Sequence, residues 1–217
     1  MQKKEEHLYM NNNIKMMIAH RGGYDFNAYG ENSINNIIHT ICHYPDFDIE
    51  IDIRWEQNEF IVSHDELDER NQERTRLEDV LKILCEMKFK NLIFLDVKKC
   101  PNILYLQDVM IRYLLRYCVH SFVETIVKEW TRHKTQGMLH EVRIGYAFED
   151  MDKIKEEEID YFVIPKEHIE RYRKVNKPIY WYSFETVKEY NMFMKGITGR
   201  KKDMGFIDYL KNDEITN

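Results

Sequence analysis

Two histidines in this sequence stand at the ends of apolar runs that have the composition of β-strands. His20 follows the run MMIA and precedes Arg21 and a Gly-Gly pair, while His64 follows FIVS and precedes Asp65. Two histidines at strand ends could act as a general acid and a general base across one phosphate. Arginine can give phosphate oxygens a forked hydrogen bond, and a Gly-Gly turn lets backbone amides approach an anion. Taken singly, each segment could equally be the polar end of a strand followed by a turn.

Carboxylates recur at every second residue of the segment FDIEIDI, as Asp48, Glu50 and Asp52. Strand alternation places them on one face and the isoleucines on the other. If the isoleucines face a helix layer, unpaired carboxylates point inward, where they repel one another and carry a heavy desolvation cost. A hard divalent cation with oxygen ligands, Mg²⁺ or Ca²⁺, would offset that cost. The alternative, an amphipathic strand with a solvated acidic face, fits a central strand poorly.

The run LIFL leads into Asp96 and Lys98, which alternate onto the same face of a predicted strand. Asp96 can complete a carboxylate set for a metal ion, and Lys98 can neutralise a phosphate oxygen. The alternative is a buried Asp–Lys ion pair, which still needs partners in the core to offset its desolvation.

Short β-rich runs alternate with longer helical patterns along the chain. The predicted strands are Lys15–Ala19, Phe47–Ile53, Asn91–Val97, Glu124–Lys128, Val142–Ala147, Tyr161–Ile164, Pro178–Tyr182 and Gly205–Tyr209, with a short extra strand at Glu59–Val62. The predicted helices are Ser33–His43, Leu77–Met87, Ile103–Val119, Arg132–Glu141, Glu149–Glu157, Lys166–Lys174 and Thr186–Lys195.

Strict strand–helix alternation calls for a parallel sheet, and eight units close a TIM (β/α)8 barrel. An open doubly wound sheet is the alternative, but no G-x-G-x-x-G or Walker-type glycine pattern follows the first strand. We therefore predict a compact α/β TIM barrel with its active site at the carboxyl ends of the strands.

Composition predicts one domain. Of the 217 residues, 43% are hydrophobic, and no linker or repeat divides the chain, so residues 14–217 are predicted to form the barrel after a polar tail at 1–13. The net charge of −6 gives no general attraction to nucleic acid. No apolar run reaches the length of a transmembrane segment and no signal peptide is evident, which predicts a cytoplasmic protein. The sequence leaves the oligomeric state open.

The remaining candidate ligands are given simpler interpretations. The four cysteines are spaced like neither a zinc site nor a disulfide framework, so they are predicted to be reduced thiols. His39 and His43 lie four apart on a predicted helix, a spacing that can bind metal, but they are interpreted as solvated helix surface.

The segments HRGG, ENS, EID, HD and DVK, in this order between Ile18 and Lys98, resemble the signature of the glycerophosphodiester phosphodiesterase family. The resemblance implies a TIM barrel that cleaves a small phosphodiester with a bound divalent metal ion. It assigns three kinds of role: metal ligands Glu50, Asp52 and Asp96; general acid and base His20 and His64; phosphate and substrate contacts Arg21, Lys98, Glu31 and Trp181.

The sequence departs from the family pattern at three places. Asp96 stands where the family usually has Glu, Ile207 replaces the Thr of a late Thr-Asp pair, and too few residues follow Asp65 for the usual small insertion domain. The D-x-K form without an insertion also resembles sphingomyelinase D-type phospholipases.

The predicted function is hydrolysis of glycerophosphodiesters to glycerol 3-phosphate and an alcohol, or of a similar small phosphodiester. One alternative is a phospholipase D-like reaction that forms a cyclic phosphate. A non-catalytic barrel that binds a metal ion or a phosphorylated ligand is an alternative of another class.

Overall fold

The structure, a computed structural model, shows a closed barrel of eight parallel strands. It describes residues 17–24, 30–66, 75–139, 142–147, 154–172, 175–197 and 203–209, so the predicted tail at 1–13 lies outside the described residues. The barrel strands follow one another in chain order and the last pairs with the first, which confirms the predicted TIM barrel. Their bounds are β1 Met17–Tyr24, β2 Asp48–Glu56, β4 Ile93–Lys99, β5 Tyr117–Ser121, β6 Arg143–Ala147, β7 Tyr161–Pro165, β8 Ile179–Phe184 and β9 Met204–Tyr209.

A ninth strand, β3 (Glu59–Val62), pairs antiparallel with β2 and forms a hairpin at the edge of the barrel. Its bounds are those predicted from the sequence. Residues 63–76 connect β3 to the next helix, which leaves no room for an inserted domain. The predicted absence of the insertion is therefore confirmed.

Helices lie between the strands and pack against their outer faces. Their bounds in the described residues are α1 Ile34–His43, α2 Leu77–Glu86, α3 Ile103–Tyr113, α4 Glu124–Thr135, α5 Ile169–Tyr172 and α6 Val187–Gly196. Ser33, Asn102 and Thr186 cap three of them, each side-chain oxygen accepting a hydrogen bond from a backbone N–H of the first turn. Within the described part of the chain, no helix has the length and apolar character needed to cross a membrane.

The predicted strand Glu124–Lys128 is wrong, because this segment lies in α4. The strand of this unit is Tyr117–Ser121, seven residues earlier. The Ile-Val pair at the start of α4 looks like a strand, but α4 buries Val127 and Trp130, three residues apart, against the barrel. The segment therefore forms a helix because its buried residues have helical spacing, although its local β propensity favours a strand.

The helix predicted for Ile103–Val119 is too long. It ends at Tyr113, because Leu114 has a left-handed backbone with φ of 53°, which stops the helix before β5. Part of the helix predicted for Glu149–Glu157 lies outside the described residues, and the structure gives a 3-10 turn at Glu156–Glu158.

Alternation in β2 separates two environments, as the sequence predicted. The outward isoleucines, among them Ile49 and Ile51, are fully buried in the layer between strands and helices. The intervening Glu50 and Asp52 are also buried, each 1% exposed, on the interior face of the barrel. The barrel interior therefore contains nearly fully buried carboxylates.

Asp48, Arg143, Tyr161 and Tyr180 lie at or near the amino ends of their strands; we call this set the barrel floor. Arg143 Nη2 donates a hydrogen bond of 2.5 Å to Tyr180 Oη, and its guanidinium lies 5.4 Å from the centroid of the Tyr161 ring. Asp48 Oδ1 accepts a hydrogen bond of 2.8 Å from the Leu92 amide. The polar groups of the floor thus find partners within the fold.

Candidate active site

A cavity of about 220 Å³ lies among residues from the carboxyl-terminal parts of several barrel strands and the segments that follow them. Six residues predicted from the sequence line it: His20, Arg21, Glu50, His64, Asp96 and Lys98. The sequence analysis did not assign the other five, His120, Phe122, Val163, Tyr182 and Phe206, to the site. The position of the cavity agrees with the active-site position expected for a TIM barrel.

The side chain of His20 is held by a residue near the carboxyl end of the chain, Asp208. Its Nδ1 pairs with Asp208 Oδ1 on β9, and its ring meets Phe206 edge to face at a centroid distance of 5.9 Å. Burial alone would lower the pKa of His20, but the hydrogen bond to Asp208 and the charge of Glu50 raise it above its ordinary value. This contact fixes Nδ1 and leaves Nε2 for proton exchange.

His64 follows β3 and is the more exposed histidine, with 39% of its side chain accessible. Its Nδ1 lies 2.8 Å from Oδ1 of its neighbour Asp65. Arg54 Nη1 donates a hydrogen bond of 3.2 Å to the His64 carbonyl, which fixes the backbone. The two histidines therefore line one cavity, one on a buried strand and one near solvent.

Glu50, Asp96 and His120, here called the acidic–histidine cluster, are all buried. Each can offer one ligand atom, and these atoms lie within 4.8 Å of one another. Strand register explains the meeting, because Asp96 on β4 pairs with His120 on β5. These three residues could therefore hold a metal ion.

Burial disfavours the charged form of two members of the cluster. Burial, together with the charge of Asp52, raises the pKa of Glu50 to about 8. Burial lowers the pKa of His120 to about 4, which keeps the imidazole neutral. Among the described residues, Asp96 Oδ1 is a buried oxygen with no hydrogen-bond partner. A neutral imidazole, an unpartnered carboxylate oxygen and a second buried carboxylate form a donor set that fits a divalent cation.

Asp52 was predicted to be a metal ligand, but the structure does not include it in the cluster. Lys98 Nζ lies 3.0 Å from Asp52 Oδ1, and Arg21 Nε lies 3.3 Å from Asp52 Oδ2. Asn32 Nδ2 donates a further hydrogen bond of 2.8 Å to Asp52 Oδ2. Burial would raise the pKa of Asp52, but Lys98 and Asn32 hold it below its ordinary value. Asp52 therefore anchors the cationic side chains of the cavity.

Arg21 lines the cavity, and Gly22 after it lets α1 pack against β1. Arg21 has a left-handed backbone with φ of 51°, and its amide donates a hydrogen bond of 2.7 Å to Glu50 Oε2. A Cβ on Gly22 would lie 2.7 Å from Ile37 Cγ1, so this position allows α1 to approach β1. The guanidinium of Arg21 is hydrogen-bonded to Glu31, which places Glu31 beside the cavity residues but not in its wall.

Trp181, predicted to contact substrate, does not line the cavity. It is fully buried on the outer face of β8, where its Nε1 donates a hydrogen bond of 2.9 Å to Asp203 Oδ2. Alternation along β8 instead turns the next residue, Tyr182, into the cavity, where its ring meets that of Phe122. Of these two aromatic residues of β8, Tyr182 therefore lines the cavity.

The comparisons with known proteins give a structural neighbour but no sequence relative. No family model matches the chain, and no curated protein sequence matches it. A solved glycerophosphodiester phosphodiesterase from Parabacteroides distasonis ATCC 8503 superposes with a TM-score of 0.70 at 17% identity, covering 92% of this chain and 94% of that one. At this identity the likeness shows the fold, a TIM barrel like that of the bacterial protein.

Proposed function

We propose that the protein is a metal-dependent phosphodiesterase that hydrolyses glycerophosphodiesters to glycerol 3-phosphate and an alcohol, or cleaves a similar small phosphodiester. The observation that carries the proposal is the convergence of two histidines, two cations and the acidic–histidine cluster around one cavity. The activity printed for the structural neighbour supports the same reaction class.

The cationic side chains suit a phosphate group in the cavity. Lys98 is held between Asp96 and Asp52, with Nζ 2.6 Å and 3.0 Å from their respective oxygens. Arg21 is held by Glu31 and Asp52 in the same way. Because these anchors fix the charges before a ligand arrives, little reorganisation is needed when negative charge grows on the phosphorus oxygens.

The histidines would move the protons. His20, oriented by Asp208, takes a proton through Nε2 from the attacking hydroxyl, which belongs to water or to the substrate itself. As the bond from phosphorus to the leaving oxygen breaks, His64 donates a proton to the leaving alkoxide. The exposure of His64 suits departure of the alcohol to solvent.

The proposed metal site is the acidic–histidine cluster, Glu50, Asp96 and His120. A divalent cation bound there would supply Lewis-acid stabilisation of charge on the phosphate oxygens. The chain's own contribution would be to hold these three buried donors in place in the wall of the cavity.

The test is hydrolysis of glycerophosphocholine and bis(p-nitrophenyl) phosphate with Mg²⁺, Mn²⁺, Zn²⁺ or Ca²⁺ and with EDTA. We expect chelation to abolish activity, and His20→Ala and His64→Ala each to lower kcat by about 10²- to 10⁴-fold. His43→Ala, an exposed histidine on α1, is the matched control and should retain full activity. Activity that survives EDTA or both active-site substitutions would overturn the mechanism.

Product analysis separates the alternatives by phosphorus NMR. Glycerol 3-phosphate supports hydrolysis by water, whereas a cyclic phosphate as the end product supports attack by the substrate's own hydroxyl. Binding of a phosphodiester without turnover, under every metal condition, would support a non-catalytic barrel and overturn the proposed function.

A further inference from the structure

The cluster differs from an all-carboxylate site in one respect: it contains an imidazole. His120 is 2% exposed and lies on β5 directly opposite Asp96 in strand register. Its Nε2 is 3.9 Å from Asp96 Oδ2. A buried nitrogen donor next to two buried carboxylates changes the class of ion that the site prefers.

The protonation state of His120 follows from its other neighbour. Tyr161 donates its hydroxyl proton to the Val119 carbonyl at 2.9 Å. The Tyr161 oxygen, 3.4 Å from His120 Nδ1, is therefore placed to accept the proton of that nitrogen. This arrangement keeps the proton on Nδ1 and leaves the lone pair on Nε2, the nitrogen nearer to Asp96. A partner that fixes the tautomer in this way is typical of metal-ligating histidines.

The two carboxylates are available to an ion as well. Asp96 gives Oδ2 to Lys98 at 2.6 Å and keeps Oδ1 without a partner among the described residues. Glu50 accepts a hydrogen bond from the Arg21 amide through Oε2. Metal–ligand bonds are about 2.0–2.6 Å long, so donors within 4.8 Å of one another can share one ion.

We infer that His120, positioned by Tyr161, is a metal ligand with Glu50 and Asp96, and that the site binds a transition-metal ion such as Zn²⁺ or Co²⁺ in preference to Mg²⁺ or Ca²⁺. Imidazole favours the later first-row metals, whereas Mg²⁺ and Ca²⁺ favour all-oxygen sites. The inference deepens the proposed function and rests on it for the presence of a divalent ion. It also replaces the Mg²⁺ or Ca²⁺ that the carboxylate pattern alone predicted.

The test is metal binding, measured on the full chain without substrate after removal of metals by EDTA. Zn²⁺, Co²⁺, Mg²⁺ and Ca²⁺ are titrated by calorimetry, and the visible absorption of bound Co²⁺ reports its coordination geometry and ligand set, which loss of the His120 imidazole would change. His39 and His43 stack on α1 and could bind Zn²⁺ independently, so all titrations use a His43→Gln background. We expect Zn²⁺ and Co²⁺ to bind at least about tenfold more tightly than Mg²⁺ and Ca²⁺.

Two variants examine the ligand and its support. His120→Asn should lose the Co²⁺ absorption and the preference for Zn²⁺. Tyr161→Phe keeps the ring and its packing, and should lower Zn²⁺ affinity by about 10- to 100-fold while leaving Mg²⁺ affinity unchanged. If His120→Asn does not fold, as judged by thermal unfolding in EDTA, Tyr161→Phe still decides the question.

The outcomes separate this inference from the proposed function. Equal affinity for all four ions, or Zn²⁺ binding that neither variant alters, would overturn the nitrogen-ligand site and leave the phosphodiesterase proposal intact. Zn²⁺ binding through His120 in a protein that cleaves no phosphodiester would support the site and overturn the activity.

Discussion

The two ends of the barrel interior both bury charge, but they do so differently. At the barrel floor, the Arg143 guanidinium is satisfied by the Tyr180 hydroxyl and by the faces of two aromatic rings. At the acidic–histidine cluster, a buried oxygen of Asp96 has no partner in the described residues, and Glu50 lies beside the charge of Asp52. Burial of charge is thus common to both ends, and a buried carboxylate oxygen without a hydrogen-bond partner distinguishes the candidate site.

We expect the floor to serve stability and the cavity to serve the proposed chemistry. Substitutions of Asp48, Arg143 or Tyr180 at the floor should change stability and spare activity, whereas Tyr161 also contacts His120. Substitutions in the cavity should change activity. Those that remove a carboxylate whose ionised form is disfavoured by burial, such as Glu50, should also raise stability.

Asp208→Asn is expected to produce the largest effect. An amide in place of the carboxylate would favour the wrong tautomer of His20 and remove its electrostatic support, lowering kcat by about 10²- to 10⁴-fold. Asp65→Asn is the matched control: Asp65 is 85% exposed, and exposed pairs contribute about 0–1 kcal/mol, so kcat should fall less than about fivefold. Equal losses in the two variants, measured by steady-state kinetics, would contradict the difference between the histidines.

Glu50→Gln is expected to stabilise the metal-free fold while impairing activity. The folded-state pKa of Glu50, about 8, lies above its ordinary value of 4.5, so its ionisation lowers native stability as pH rises from about 4.5 to 8. The amide removes this penalty and should raise the free energy of unfolding at pH 8 by about 2–4 kcal/mol. Thermal and urea unfolding in EDTA measure the change. A destabilised variant would show that Glu50 is paired in the metal-free fold.

Tyr180→Phe should destabilise the protein by about 1–3 kcal/mol, because it leaves the partly buried Arg143 guanidinium without its hydroxyl partner. Tyr180 does not line the cavity, so kcat should be unchanged. Urea unfolding and steady-state kinetics on the same preparation test both statements. A loss of kcat without a loss of stability would show that Tyr180 contributes to activity and would contradict a purely structural role for it.

Asp48→Asn is expected to give the smallest effect, visible in the pH dependence of stability. Burial raises the pKa of Asp48 to about 6 from an ordinary 3.8, so the group lowers native stability as pH rises from about 4 to 6. The amide can still accept the Leu92 hydrogen bond. The variant should gain about 1–2 kcal/mol above pH 6 and none below pH 4. A uniform change across this range would exclude titration of Asp48 as the cause.

The sequence predicted the fold well because burial patterns repeat eight times, and the misplaced strand at Glu124–Lys128 did not alter the barrel. That element had a local cost, however. Tyr117–Ser121 was assigned partly to a helix, so His120 could not be recognised as an interior residue next to Asp96. A strand assignment there would have exposed the alternation that turns Cys118 and His120 inward.

Site residues could be predicted where the local sequence places them at the end of a strand. They could not be predicted where their position depends on the register between neighbouring strands. His20, His64 and Lys98 lie at strand ends that composition reveals, and all three reach the cavity. The choice between Asp52 and His120 depends on which side chains meet across neighbouring strands. In the structure Asp52 contacts Lys98 and Asn32 instead, and spacing along the chain does not reveal these contacts.

The closure of the barrel between β1 and β9 has a consequence for folding. Glu50, Asp96 and His120 lie on three consecutive barrel strands, whereas His20 and Asp208 are 188 residues apart and meet only when the last strand joins the first. Contacts of such long range carry the larger loop-closure entropy and are slow to form. A chain folding strand by strand would therefore assemble the proposed metal ligands before the His20–Asp208 pair. The onset of catalysis during refolding, compared with the onset of metal binding, would then report when the ring closes.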